Sequence, residues 1–432
     1  MSESPIILNE REARRARAFL ARVDEALSSP AAVAPSRYTI PAEVWELHER
    51  ALRSNRRAAA SMLAAYDEIR QGKQSSVLEN WKREPGVILI IARIARGLSQ
   101  LELAERLGMR EQQIQRYEAE RYRTISLQNM RRVASALGVT VEARIDDVHS
   151  SIVGVLKTQK TDWIDDRQMA AIVAHAKKHR WFGLTDDKDK DRLAVIDFLE
   201  DSASHYGSPG LLRTGLKSID LKDDALLAAW RARVLVVADE LIKSARTDFD
   251  PINLHWVGEL VKLSSLVDGP KKAIDFCRQH GVVVIVEPQI QGLKLDGAAF
   301  LLGTWPVVGL TIRHDRIDNF WYTLLHELGH VFLHYNSGLA SGFFDDEVEG
   351  KANDELEQEA DSFASAMLIP PERWRQSLVR VTRSTAAVEQ FAKQIGIHPA
   401  IVFGRIRRER NEYRLFSDQV GSGQVRNTLI TS

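Results

Sequence analysis

The sequence predicts a multidomain chain, all-α in its N-terminal part and α+β toward its C-terminus. Three observations predict it. At 432 residues the chain is too long for a single hydrophobic core. Up to about residue 265 its apolar side chains recur at helical spacing. From about residue 270, short β-branched runs bounded by Gly, Pro and Asp alternate with helical segments, which is an α+β pattern. The boundaries read as a helical region over 1–80, a compact set of short helices over 81–147 and a helical connector over 148–265. An α+β domain over 266–415 follows, then a polar, glycine-containing tail over 416–432 that is expected to be flexible.

Bulk composition narrows the function classes. Formal net charge is zero, so any nucleic-acid binding must come from a local basic patch. The one cysteine, Cys277, excludes a disulfide framework and a cysteine-based zinc site within one chain. No window holds the ~18 apolar residues needed to span a bilayer, and the first residues lack an apolar signal core. The expectation is a cytoplasmic protein without membrane contact.

The elements follow in order. Pro41-Ala-Glu opens a stretch whose apolar positions Val44, Leu47 and Leu52 predict a helix to about Gln71, expected to serve packing or dimerisation. Short helices are expected over 87–95, over 100–107, from about Arg110, and from Ser126 to 137–138. Ser99 followed by Glu102 is a capping box. Gly108 permits a tight turn, and Ile114 and Tyr117 face inward. The outward side chains of the third helix are then Arg110, Gln112, Gln113, Gln115 and Arg116. Helix, tight turn and a Gln/Arg-rich outer face form the geometry that enters a major groove, where Gln pairs with adenine and Arg with guanine or phosphate. With Gln100, these are the candidate DNA contacts. Residues 93–132 hold nine Arg and five Glu, which is the local patch that a neutral chain requires. Glu111 and Glu120 place negative charge near the same face. The plainer reading is a small helical bundle with a solvated basic surface.

In the connector, the charge run over 185–191 lacks the Gly and terminal Glu of a calcium-binding loop and reads as a solvated turn or helix start. Beyond it, a helix is expected over 271–280, strands over 282–286, 297–302 and 307–312, and a helix over 318–335. That last helix carries His-Glu-Leu-Gly-His at 326–330 within an otherwise apolar segment. Two histidines four apart share one helix face, and both imidazoles can reach one tetrahedral zinc ion at ~2.0–2.1 Å. Glu327, beside the first ligand, is placed to take a proton from a water on the metal. Burying these groups without a partner would be costly.

A catalytic zinc needs a third protein ligand. Position 333 is Leu and 336 is Asn, so the ligand must come from a second helix. The stretch 355–370 supplies one, with a buried stripe of Ala360, Phe363, Ala364 and Met367. Glu357 and Asp361 stand four apart on one face. Glu357 is the candidate ligand, and Asp361 the acceptor for a histidine's other nitrogen. Glu359 is the rival ligand. The run 345–361 holds nine acids, and such a run can equally be a solvated face. His334 continues the face of His330, as a group behind that ligand or as a core histidine. His314, His398 and Tyr322 are weaker candidates for polarising a substrate carbonyl.

Two resemblances emerge from these residues. Gly97-Leu-Ser-Gln-x-Glu-Leu-Ala-x-x-Leu-Gly followed by Ile114-x-Arg-Tyr-Glu resembles the Cro/repressor (XRE) helix-turn-helix family over about 55 residues. It implies binding to a double-stranded operator, commonly as a homodimer. The helices before it are similar to those preceding the domain in some HigA-type antitoxins. The second resemblance covers roughly 265–410 and rests on five stretches. They are Asp-Gly-Ala-Ala-Phe at 296–300, Phe-Trp-Tyr-Thr-Leu-Leu-His-Glu-Leu-Gly-His, Glu357-x-x-x-Asp361, Phe-Ala…Met-Leu-Ile-Pro and Ile-His-Pro-Ala-Ile-Val-Phe-Gly-Arg at 397–405. This part resembles the ImmA/IrrE metallopeptidases. The resemblance implies a zincin-like, gluzincin-type endopeptidase that inactivates a repressor protein by cleavage; the substrate expected here is a repressor or antitoxin-type protein, or this chain itself. It implies His326, His330 and Glu357 as metal ligands and Glu327 as the catalytic carboxylate. The cofactor expected is Zn²⁺, with Mn²⁺ or Fe²⁺ as substitutes. The alternative expectation is a transcription factor or antitoxin whose metal-binding domain senses or dimerises without turnover.

Overall fold

The computed structural model describes residues 7, 9–28, 40–72, 85–122, 125–139, 164–185, 187–206, 224–243, 247–335, 343–344 and 354–430. The chain divides into two compact units. One comprises 1–28 and 56–161, the other 29–55 and 162–432. The boundary differs from the sequence expectation in two places. Helix α2 (Ala42–Arg70) gives its first half to the second unit. Residues 162–265, expected to be a connector, belong to the same unit as the α+β segment.

In the first unit, α1 (Glu10–Ser28) and the second half of α2 accompany four short helices, α3 (Pro85–Ala95), α4 (Gln100–Leu107), α5 (Glu111–Ala119) and α6 (Leu127–Ala136). Each boundary has a local cause. The Ser99 and Glu102 side chains cap each other's backbone N–H at the start of α4, satisfying donors that a helix end leaves open. Gly108 ends α4 in the left-handed conformation, at φ 64°, which glycine adopts without Cβ strain. Ser126 accepts from Asn129 N–H and starts α6. The core is Leu89, Ile90, Leu103, Ile114 and Val133 with their neighbours, all fully or nearly fully buried.

The second unit is a sheet covered on both faces. Its order is β1 (Val283–Val286), β3 (Trp305–Leu310), β2 (Gly297–Leu302), β4 (Phe343–Phe344). β1 and β3 are parallel, and β2 is antiparallel to both β3 and β4. Alternate side chains sort cleanly to the two faces, as the pleat requires. Val284, Ala299 and Val308 join one core, whereas Val283, Ile285, Ala298, Phe300 and Val307 join the other.

The second face explains the supposed connector. Helices α7 (Asp166–His179), α8 (Lys188–Tyr206) and α9 (Asp224–Lys243) lie in the core that contains those sheet residues. Trp230 of α9 is fully buried, and its Nε1 donates to the Glu287 carbonyl at 2.9 Å. Gly309 of β3 leaves the space that its ring fills, since a Cβ there would overlap it. Within the charge run, α8 begins at Lys188, and Asp191 turns inward to accept from Thr185 N–H and pair with Lys177.

The first face holds the helices that build the site: α10 (Trp256–Lys262), α11 (Gly269–Gln279), α12 (Ile317–Leu333), α13 (Asp354–Leu368), α14 (Pro371–Arg375), α15 (Thr385–Ile395) and α16 (Pro399–Arg410). The C-terminal residues, expected to form a flexible tail, are packed. Val420 and Val425 are buried in this core, Gly421 O accepts from Ile317 N–H, and α17 (Gln424–Ile430) follows. Polar and glycine residues mask those two apolar anchors in the sequence.

Candidate metal centre and nucleic-acid interface

Helix α12 is buried along nearly its whole length, and His326, Glu327 and His330 are buried with it. Its partner is α13. The two helices cross where Gly329 meets Ala360: a Cβ on Gly329 would stand 3.0 Å from the Ala360 Cα. That close approach brings Glu357 and Asp361 of α13 against the histidine face of α12.

The distances define one point of convergence. His326 Nε2 and His330 Nε2 lie 3.1 Å apart. Glu357 Oε2 stands 3.1 Å from His326 Nε2, and its Oε1 stands 3.5 Å from His330 Nε2. Two ligands held at 2.0–2.1 Å from one tetrahedral ion are separated by about 3.3 Å, so the three groups have the spacing of a shared ion. Among the described residues, these three form the only cluster of this kind.

Proton accounting supports the same fit. His326 Nδ1 faces Asp361 Oδ1 at 3.1 Å, and its Nε2 faces the Glu357 carboxylate. Both neighbours are acceptors, while a neutral imidazole carries one proton. If Nδ1 donates to Asp361, the Nε2 lone pair and the Glu357 oxygen address the same space, where a cation reconciles them. Burial pushes His330 down to about 4, so its ring is neutral at pH 7. Burial works to raise Glu357, but in the metal-free chain a ring proton shared with it by His326 or His330 outweighs burial and holds the carboxyl at about 2, a proton that a bound cation would replace. The donor set is therefore two neutral imidazoles and one carboxylate, a set suited to zinc and related divalent metals.

Glu327 is fully buried beside the first histidine. Gly297, the first residue of β2, lies against it: a Cβ there would come within 2.7 Å of Glu327 Oε1. A cavity of about 570 Å³ belongs to the first unit, whereas one of about 500 Å³ opens beside His326, Glu357, Asp361 and Tyr322.

Asp361 is held from three sides. Tyr322 Oη donates to its Oδ1, Arg408 donates to its Oδ2 at 2.8 Å, and His326 occupies the third. The Arg408 guanidinium also covers the Tyr322 ring at 4.2 Å. Arg408 is a residue that sequence reasoning missed, since nothing in its spacing ties α16 to α13. Tyr322 thus lies at the site, whereas His398 caps α16 by accepting from Ala400 N–H. His314 does not line the cavity. His334 Nδ1 meets His330 Nδ1 at 3.0 Å, and the rival acid Glu359 turns to His334 rather than to the cluster. Of the acidic run, residues 345–353 lie outside the described residues.

In the first unit, α5 presents Gln112 and Arg116 toward solvent, with Arg110 exposed just before it. Gln113 and Gln115 are tied down, the first donating to Tyr117 Oη and the second to Glu111 Oε1, both at 2.9 Å. Gln100 departs from the expected outward set. Its side chain is buried and donates to Glu118 Oε2 at 2.8 Å. Glu118 already pairs with buried Arg93 through two hydrogen bonds of 2.6 and 2.7 Å, and the extra donor helps satisfy a buried carboxylate.

Comparison with known families fits both units. Residues 89–143 match the helix-turn-helix family, and residues 277–394 match the IrrE N-terminal-like domain. No curated protein and no solved structure matches the chain. Among the described residues no helix is long and apolar enough to cross a membrane. The chain therefore carries an XRE-type helix-turn-helix and, C-terminal to it, an ImmA/IrrE-type peptidase-like domain.

Proposed function

We propose that the chain is an operator-binding regulator whose C-terminal domain is a zinc-dependent endopeptidase, acting on a repressor- or antitoxin-type protein in the cytoplasm. The observation that carries this reading is the convergence of His326 Nε2, His330 Nε2 and the Glu357 carboxylate within 4.8 Å of one another. These three residues would hold the ion, with Mn²⁺ or Fe²⁺ able to replace zinc. When bound, the metal supplies a Lewis acid that polarises a peptide carbonyl and acidifies water. Glu327 then accepts the proton of the attacking water and returns it to the departing amine. Asp361 fixes the His326 ring, so that its Nε2 stays a ligand. The cavity beside His326 and Tyr322 receives the peptide segment. The exposed face of α5 enters the major groove, and a homodimer would read a two-fold operator.

The test is metal content per chain together with cleavage of a co-expressed repressor-type protein or of the chain itself. Wild type is expected to hold about one zinc, and His330→Ala and Glu357→Ala to lose it. Glu327→Gln is expected to keep the zinc and lose roughly 10²–10⁴-fold in cleavage. A well-folded wild type without metal would sink the reading. Undiminished cleavage by Glu327→Gln would sink the mechanism and leave a metal-binding regulator without this chemistry.

A further inference from the structure

The hydrogen bonding of the second ligand continues past the metal cluster. His330 directs Nε2 to the cluster and Nδ1 to His334 Nδ1, 3.0 Å away. His334 is 2% exposed and sits where α12 ends, with its backbone N–H donating to His330 O. Its other nitrogen, Nε2, meets Glu359 Oε2 at 3.1 Å. Glu359 comes from α13, two residues beyond Glu357, and its Oε1 lies 3.3 Å from Arg50 Nη2 of α2.

Proton placement along this line has one self-consistent order. A carboxylate only accepts, so His334 Nε2 must donate to Glu359. Neutral His334 then has its lone pair on Nδ1. His330 Nδ1 must therefore donate to it, and the lone pair of His330 is left on Nε2, facing the cluster. We infer that Glu359 and His334 are positioning residues that fix His330 as an Nε2 ligand through this two-histidine line. The inference rests on the metal-centre reading and deepens it. A carboxylate behind a ligating histidine is a common device for fixing its tautomer and raising its basicity. Here Asp361 does this directly for His326, and Glu359 does it for His330 at one remove. The Arg50 side chain is two-thirds exposed, so its pairing with Glu359 is a screened surface interaction and the line effectively ends at the carboxylate.

The test uses the full chain, stripped of metal and titrated with cobalt(II) alone, followed by visible absorption. Glu359→Gln keeps the shape and removes the charge. Its affinity for cobalt is expected to fall roughly 10- to 100-fold, while the melting curve of the metal-free protein stays that of wild type. His334→Phe is expected to show a similar loss, and the double variant no further one, because the two residues act as one unit. Wild-type affinity in folded Glu359→Gln overturns the inference and leaves the three-ligand centre standing. Losses that simply add in the double variant overturn it as well. Should His334→Phe fail to fold, Glu359→Gln decides alone, since its side chain is one-third exposed and the substitution keeps its size. A wild type that takes up no cobalt overturns the metal centre and this inference together.

Discussion

At the scale of single residues, Gly297 decides what Glu327 can do. It opens β2, and a Cβ at this position would stand 2.7 Å from both Glu327 Oε1 and Thr323 Cγ2. Both contacts lie inside van der Waals distance, so the Thr323 methyl and the Glu327 side chain must both give way. Gly297→Ala should therefore cost about 1–3 kcal/mol of stability by overpacking and displace the Glu327 carboxylate. His326 and His330 face α13 rather than β2, so metal content should be unchanged. Elemental analysis, a melting curve and a cleavage assay check this together. Cleavage at the wild-type rate would show that the carboxylate need not occupy this place. The sequence shows a glycine at the start of a strand but not what it faces, because that depends on which helix covers the sheet. The same holds for Gln100. Its helical position is plain from the Ser99 cap, yet its inward turn depends on a buried Arg93–Glu118 pair distant in sequence.

At the scale of elements, helix α5 is the one whose surface chemistry makes a prediction. Gln112 and Arg116 face solvent, and Arg116 lies over the Tyr117 ring at 5.7 Å, which leaves its guanidinium at the surface. Gln113, by contrast, is tied to Tyr117. Arg116→Ala and Gln112→Ala should each weaken specific operator binding by about 1–3 kcal/mol for every base edge that goes unread, and should leave metal content alone. Mobility-shift titrations at fixed salt measure this, and salt must be fixed because phosphate binding responds to it. Two variants that bind as wild type would move the recognition surface off α5. The elements themselves were legible wherever a local rule applied. The capping box at Ser99, the strand at 297–302 and the His-Glu-x-x-His helix follow from the residues that form them. The meeting of Glu357 with the two histidines was legible too, because two acids at a four-residue spacing on a second helix offer that face a partner. The parallel pairing of β1 with β3 was not, since two short apolar runs do not specify which of them are neighbours.

At the scale of the whole molecule, periodicity reveals that a face is buried but not against what. Helices α7 to α9 read as a connector for that reason. Their burial on the sheet comes from Trp230 and its partners, which are far apart in sequence. Helix α2 is the parallel case, its Val44 and Ala51 buried in the same core as α12. Between them lies His48, fully buried, with Nε2 donating to the Pro251 carbonyl at 2.8 Å and its ring edge-on to Phe332. Burial lowers its pKa from 6.5 to about 4, with His255 adding to the effect and the Pro251 hydrogen bond and Asp250 opposing it. A base whose folded pKa is depressed stays neutral in the fold while the unfolded chain takes up a proton. Stability is then unaffected by this group above about pH 6.5, falls as pH drops toward 4, and levels off below. Integrated from pH 7 to pH 5, the loss is about 2 kcal/mol at 1.36 kcal/mol per unit. His48→Gln keeps a donor for Pro251 without the titration, so its stability should change less over that interval by about the same ~2 kcal/mol. Urea titrations of the metal-free chain, followed by tryptophan fluorescence, report the relevant unit, because every tryptophan except Trp81 belongs to it. All other histidines are common to both proteins, so only the difference between them is read. Equal slopes for wild type and His48→Gln would mean that His48 gains its proton without leaving the core, and that acid acts on this unit elsewhere.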